Sequence, residues 1–230
     1  MDRTTHEQAD WALTSRIEFK LDGLWEDFRS MTSPRGDEFS LLVGGAVHYQ
    51  QGRPWYSQGV VPPASTGTDY NNWFGVTADV TAKFGGASLF GSFYFTNVAA
   101  NAAEFGTNSA GGFGALNAVD AGSVNVLGFL IQGAVYVADD IELFAQYEYG
   151  NSSGPKQLLD QNAIFNDPDN LSLFTVGVNY YFKGQNAKWT TDLGFSFDKV
   201  SYFWADPAYG LRASDSTGQV LLRTQWQLFF

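Results

Sequence analysis

The sequence of 230 residues contains no cysteine, which excludes both a disulfide framework and a thiolate metal site. Histidine is nearly absent as well: His6 lies in an unpatterned tail, and His48 lies within a strand-like run. One strand histidine without a second type of ligand offers no basis for a Ser-His-Asp triad or a histidine metal site. We therefore predict that the protein is not an enzyme and that it carries no cofactor and no metal.

Positive charge is also scarce, with 13 Lys and Arg residues against 24 acidic residues and a net charge of −11. Because nucleic-acid sites neutralise phosphates with clustered Lys and Arg, this composition argues against a nucleic-acid partner. No run approaches the roughly 18 consecutive apolar residues of a transmembrane helix. The amino terminus shows no basic region followed by an apolar one, so we expect a fragment whose signal peptide lies upstream.

The residues that are abundant point to strands and turns, since the chain holds 20 Phe, 11 Tyr, 7 Trp and 25 Gly. A hydrophobic content of 44% is too high for a disordered polymer. Alternation of period two predicts strands at 11–21, 38–51, 71–84, 87–97, 124–138, 141–150, 171–183, 188–199 and 218–230. The predicted fold class is all-β, in a single domain that covers residues 1–230.

Most of these runs have one apolar and one polar face. In the last run Leu222, Trp226 and Phe230 alternate with Arg223 and Gln225. A strand with one apolar face needs only about 9–11 residues to cross a bilayer as part of a barrel. The pattern is therefore that of a wall with lipid on one side and water on the other.

The predicted connections alternate between short and long. Tight turns lie at 33–36, 85–86, 139–140 and 184–186, and long loops lie at 52–70, 98–123, 151–170 and 200–217. Every turn is then at one edge of the sheet and every loop at the other, which is typical of a transmembrane antiparallel β-barrel of the outer-membrane type. Greek-key sandwiches have no reason to alternate in this way.

Aromatic side chains lie near many strand ends, where rings favour the border between lipid and water. We assign Trp11, Trp73, Phe84, Tyr180, Phe182, Trp189, Trp226 and Phe230 to such membrane-interface girdles.

The number of predicted strands is odd, whereas bacterial single-chain barrels have an even number. An open sheet in lipid would also leave the backbone groups of both edge strands without partners, at several kcal/mol for each group. We therefore expect an incomplete barrel that lacks upstream strands.

Four stretches resemble the carboxyl-terminal half of the phosphate-selective porin O and P family. They are "DWALTSRIEFKLDGLWEDFRSM" at 10–31, "GDEFSLLVGGAVHYQQG" at 36–52, "SLFTVGVNYYFKGQNAKWTTDLGF" at 172–195 and "TGQVLLRTQWQLFF" at 217–230. The resemblance implies a bacterial outer-membrane porin, typically sixteen-stranded and trimeric, that conducts ions and small hydrophilic solutes. It also implies that the terminal strand ending in Phe230 is read by the barrel-assembly machinery.

The family's anion selectivity rests on cations that line its constriction, and this sequence departs from that pattern. The charged side chains that the alternation places on the polar, pore-lining face are six cations and six anions, namely Arg16, Lys20, Lys83, Lys183, Lys188 and Arg223 against Glu18, Asp79, Glu142, Glu148, Asp192 and Asp198. This balance favours a general diffusion pore over a phosphate-selective one. Residues 98–123 are the candidate for the constriction loop.

An alternative reading is a soluble or surface-attached all-β module whose aromatics and long loops bind a carbohydrate. The run at 124–138, which is apolar on both faces, and the rings of Phe90 and Tyr94 on a polar face fit that alternative better. An outer-membrane enzyme is a third reading, but no pair of nucleophile and base supports it.

Overall fold

The computed structural model describes residues 9–52, 72–99, 123–153, 170–200, 204, 210–214 and 216–229. In these ranges the chain is all-β, with one short 3₁₀ helix at Trp25–Arg29. The strands are β1 (Ala9–Asp22), β2 (Ser40–Gly52), β3 (Asn72–Lys83), β4 (Ala87–Ala99), β5 (Ser123–Tyr136), β6 (Ile141–Ser153), β7 (Asn170–Tyr181), β8 (Ala187–Ser196) and β9 (Val220–Leu228). Within the same ranges, no helix combines the length and the hydropathy needed to cross a membrane.

All nine strands form one open antiparallel sheet in which each strand pairs with its neighbours in the chain. β1 and β9 are the edge strands. Every predicted strand is confirmed, with ends that shift by a few residues, because the alternation of side chains sets the centre of a strand better than its limits.

The register brings like positions of neighbouring strands onto the same face. Glu18 lies opposite Gly44, Gly44 lies opposite Asp79, and Asp79 lies opposite Ser92. Because successive side chains of a strand point to opposite sides, this register collects the charged side chains of neighbouring strands on one face, the polar face, and mainly apolar side chains on the other, the apolar face.

In a water-soluble protein the apolar face of a sheet is buried and the polar face is exposed. Here the apolar face is exposed, and many side chains of the polar face are buried. On the apolar face Leu222 is 75% exposed and Ile131 is 51% exposed, whereas Lys83 and Glu142 on the polar face are each 2% exposed. Apolar surface left in water forgoes about 25 cal/mol for each Å². A contiguous apolar face of this extent marks a surface that contacts something other than water.

The connections define two edges of the sheet, which we name the turn end and the loop end. At the turn end, residues 84–86, 137–140 and 182–186 are short connections, as predicted. The β1–β2 connection is different, because strand pairing stops at Asp22 and resumes at Ser40. The turn predicted at 33–36 forms, with Asp37 N donating to Pro34 O at 3.3 Å, but it is only part of this longer connection. Residues 23–39, which we name the turn-end segment, include the 3₁₀ helix and fold back over the sheet.

Candidate functional site: the polar face of the sheet

The polar face carries most of the charged side chains that the sequence places there. Ten of the twelve predicted pore-lining residues share this face by strand position, namely Arg16, Glu18, Lys20, Asp79, Lys83, Glu142, Glu148, Lys188, Asp192 and Arg223. The prediction placed Lys183 and Asp198 on strands, which is wrong. Gly184, with φ of +51°, turns the chain after β7, and the chain leaves the sheet after Ser196.

A three-member ion cluster occupies the middle of β1 and β3. The Arg16 guanidinium donates to both carboxylate oxygens of Asp79, with Nη1–Oδ2 of 2.7 Å and Nη2–Oδ1 of 2.9 Å. It also donates from Nε to Glu18 Oε1 at 2.7 Å. Gly44 lies beneath this pair, where a Cβ would come within 2.4 Å of Arg16 Nη2. One cation is thus matched by two anions.

A second ion pair lies near the other edge of the sheet. Arg223 Nε on β9 donates to Asp192 Oδ1 on β8 at 2.8 Å. The two residues are direct register partners. Cross-strand pairing therefore neutralises these charges in place, because opposite charges directly across a ladder attract each other.

A buried hydrogen-bond network surrounds Glu142 at the turn end. Its Oε2 accepts from Tyr181 Oη at 2.6 Å and from Asn179 Nδ2 at 2.8 Å. Thr190 Oγ1 donates to Asn179 Oδ1 at 2.6 Å, which orients the amide toward the carboxylate. The Tyr181 ring stacks on that of Tyr136, with centroids 5.6 Å apart. The carboxylate is thereby held by donors on the neighbouring strand β7.

The turn-end segment lies on the same face and meets Lys83. The Lys83 ammonium donates to the backbone carbonyls of Asp27 and Thr32, the latter at 2.8 Å. The carboxylate of Asp27 accepts from Leu24 N at 2.6 Å and from Ser40 Oγ at 2.9 Å. These two donors favour the charged carboxylate, so they hold the pKa of Asp27 below its usual range.

A second segment folds onto the polar face at the loop end. Residues 197–219, which we name the loop-end segment, are described at 197–200, 204, 210–214 and 216–219. Val200 and Leu211 pack with three leucines of the strands in a buried cluster, and Trp204 packs against it; the leucines are Leu171, Leu173 and Leu221. A Cβ at Gly150 would come within 2.5 Å of the Trp204 ring, so only glycine leaves room for it.

Sequence reasoning missed both segments. It assigned the constriction to residues 98–123, of which 100–122 lie outside the described residues. A signal for the loop-end segment was present: Leu171, Leu173 and Leu221 interrupt the polar face of β7 and β9, and such leucines need an apolar cover.

The aromatic residues at the strand ends divide between the two faces. Tyr180, Phe182, Trp189 and Trp226 form a chain of ring contacts on the apolar face at the turn end, with centroids 4.6–6.1 Å apart. At the loop end of β1, Trp11 lies 5.1 Å from the Tyr49 ring. Phe84 lies 54% exposed beside Phe39. Phe230 lies outside the described residues.

Trp73 does not belong to the apolar girdle. Its ring packs edge-on against His48, with centroids 5.3 Å apart, and Nδ1 of that histidine lies 2.7 Å from Thr14 Oγ1. Thr14 shares the polar face with Arg16, so Trp73 lies on the polar face, apart from the rings of the apolar face. Trp73 and Asp79 are six positions apart in β3, so the alternation of side chains along the strand already predicts that they share a face.

The described residues contain no group of three or more His, Asp or Glu side chains that could hold a metal ion. Comparison of the chain with protein-family models, with curated proteins and with solved structures finds no match. The function of the polar face is therefore argued from its own geometry.

Proposed function

We propose that the sheet is part of the wall of an outer-membrane porin that lets ions and small hydrophilic solutes diffuse through a water-filled channel. The observation that carries this proposal is the exposure of large apolar side chains along one face of the sheet, from β1 to β9. Large apolar side chains such as Leu13, Ile17 and Leu222 are exposed, while charged side chains such as Lys83 and Glu142 are buried. Lipid as the solvent of the apolar face accounts for the exposed apolar side chains, and the turn-end segment accounts for the burial of Lys83.

Strand length supports the same proposal. The strands contain from 9 residues in β9 to 14 in β1 and β5. A tilted strand of about 9–11 residues crosses the hydrocarbon core of a bilayer. The ring contacts around Trp226 at the turn end and Trp11 at the loop end stand where aromatic girdles occur in such walls.

The proposal includes further strands. Consecutive antiparallel pairing makes β1 and β9 run in the same direction, so they cannot close the sheet by antiparallel pairing with each other. Bacterial barrels have an even number of strands, so an odd number of further strands would complete the wall. We place the complete barrel in a bacterial outer membrane as a trimer, with β9 as the strand that the assembly machinery reads.

The charges of the polar face support a pore without strong ion selectivity. Arg16 is matched by Asp79 and Glu18, and Arg223 is matched by Asp192. Selectivity by charged side chains requires a ring or ladder of one sign, and these pairs provide none. Phosphate selectivity is therefore not part of the proposal.

The first prediction is channel activity itself. We expect the reconstituted protein to give step-like increases of current in planar bilayers, and its migration on a gel to change on heating. A protein that inserts in bilayers without conducting, or one that stays soluble and binds an oligosaccharide, would overturn the proposal.

The second prediction concerns the ion cluster. Asp79→Asn removes one of the two carboxylates that match Arg16, so the permeability ratio of chloride to potassium should rise by roughly two- to threefold. The measurement is the reversal potential in a salt gradient. Glu38→Gln is the matched control, because it removes the same charge from an exposed side chain that lies outside the strands. Equal reversal potentials for both variants would contradict the placement of Asp79 in the channel.

A further inference from the structure

The β1–β2 connection is longer than the strands require. Asp22 and Leu41 are register partners, so a two-residue turn could join β1 to β2. The other described connections at this edge are short, at residues 84–86, 137–140 and 182–186. The extra length of residues 23–39 therefore serves a purpose other than joining two strands.

The middle of the turn-end segment ties together three successive hairpins. In the β3–β4 hairpin, Gly86 N donates to Ser33 O at 2.9 Å. In the β5–β6 hairpin, the carbonyl of Tyr136 accepts from Arg35 Nη2 at 2.9 Å. In the β7–β8 hairpin, Gln185 Nε2 donates to Thr32 Oγ1 at 2.8 Å. Residues 32–35 thus contact strand ends that belong to β3 through β8.

These contacts require a sheet that curves around the segment. β3 and the β7–β8 connection are four strand spacings apart, which is about 19 Å on a flat sheet. Lys83 of β3 and Gln185 of that connection nevertheless both bond to Thr32. Because Lys83 lies on the polar face, the segment occupies the concave, polar side of the curve.

The segment is fixed in this position. Ser33 is fully buried, and its hydroxyl accepts from Gly85 N at 3.1 Å. Gly85 has φ of +68°, and a Cβ there would lie 2.4 Å from the carbonyl oxygen of Asp37, so the turn and the segment pack backbone to backbone. The segment can therefore leave the wall only if these contacts break.

We infer that residues 27–35 are the size-selecting constriction at the turn end of the channel. The inference rests on the proposed pore and adds the place where its cross-section is set. Solutes that approach this end meet the backbone of residues 27–35 on the concave side of the wall, with Lys83 and Glu142 buried behind it. The cutoff in solute size therefore depends on this segment and on the hydrogen bonds that hold it against the wall.

The deciding experiment replaces residues 23–40 by Asn-Gly, the two-residue turn that the register of Asp22 and Leu41 permits. Heat-modifiable migration reports whether the variant folds. We expect the single-channel conductance to rise roughly twofold or more, because current scales with the open cross-section. The largest polyethylene glycol that enters the pore should increase as well.

Lys83→Met provides a second variant that keeps the whole segment and removes only its ammonium tether. We expect a noisier current and a larger exclusion limit than in the unaltered protein. Lys188→Met is the matched control, since it removes the same charge from the polar face, and its ammonium lies over the Tyr181 ring at 5.8 Å instead of bonding to the segment.

The outcomes separate the two proposals. If the unaltered protein does not conduct, the proposed pore fails and the constriction fails with it. If it conducts and the folded Asn-Gly variant keeps the same conductance and exclusion limit, only the constriction is overturned. If the Asn-Gly variant does not fold, Lys83→Met decides, and behaviour identical to that of Lys188→Met overturns the constriction.

Discussion

Replacing Ile131 with arginine should lower the free energy of unfolding from lipid vesicles by about 2–4 kcal/mol. Ile131 lies near the middle of β5 on the apolar face and is 51% exposed. If lipid covers that face, the substitution places a guanidinium near the bilayer midplane. In a water-soluble sheet the same arginine would lie at the surface and cost little. Urea titration of the protein folded in vesicles measures the difference.

Gln132→Arg is the control for this substitution. Gln132 follows Ile131 directly, so it lies at the same depth in the wall and points to the polar face, where its register partners are Phe90 and Gln146. We expect this arginine to change the unfolding free energy by less than about 1 kcal/mol. Equal costs at the two positions would mean that lipid does not cover the apolar face.

Replacing Glu142 with alanine should destabilise the protein by about 3 kcal/mol, because two buried donors lose their acceptor. Tyr181 Oη and Asn179 Nδ2 both donate to Glu142 Oε2, at 2.6 and 2.8 Å. The side chain is 2% exposed, so water does not readily replace the lost oxygen. The same urea titration measures the effect.

Glu142→Gln separates the role of the acceptor from that of the charge. The amide oxygen of glutamine can still accept from Tyr181 and Asn179, so we expect a loss of at most about 1 kcal/mol. A loss as large as that of Glu142→Ala would show that the negative charge, which lies near Lys83, supplies most of the stabilisation. An alanine variant as stable as the unaltered protein would contradict the network itself.

The strands and their faces could be predicted because they depend on local order. The alternation of Leu222 and Trp226 with Arg223 can be recognised within one short stretch of sequence, and an alternation of period two indicates a β-strand. The sequence therefore located every strand, and it placed ten of the twelve charged candidates on the correct face. Lys183 and Asp198 were misplaced because strand ends depend on where hydrogen bonding stops.

The two segments on the polar face could not be predicted in the same way. Thr32 and Gln185 are 153 positions apart in the chain, and nothing near either residue identifies the other. The motif "SPRG" is a valid turn signal, yet Ser33 accepts hydrogen bonds from the β3–β4 connection. The local turn forms, with Asp37 N donating to Pro34 O at 3.3 Å, but the packing of the whole sheet decides that it lies within a longer connection.

The sequence by itself determined an all-β sheet with one apolar and one charged face, since composition and alternation are properties of the chain alone. Only the tertiary structure decided which charges are matched and where the polar face is covered. Arg16 meets Asp79 across 63 positions because β2 holds β1 and β3 in register, with Gly44 leaving room between them. The physical reason is that pairing and curvature arise between strands, and no single strand encodes them.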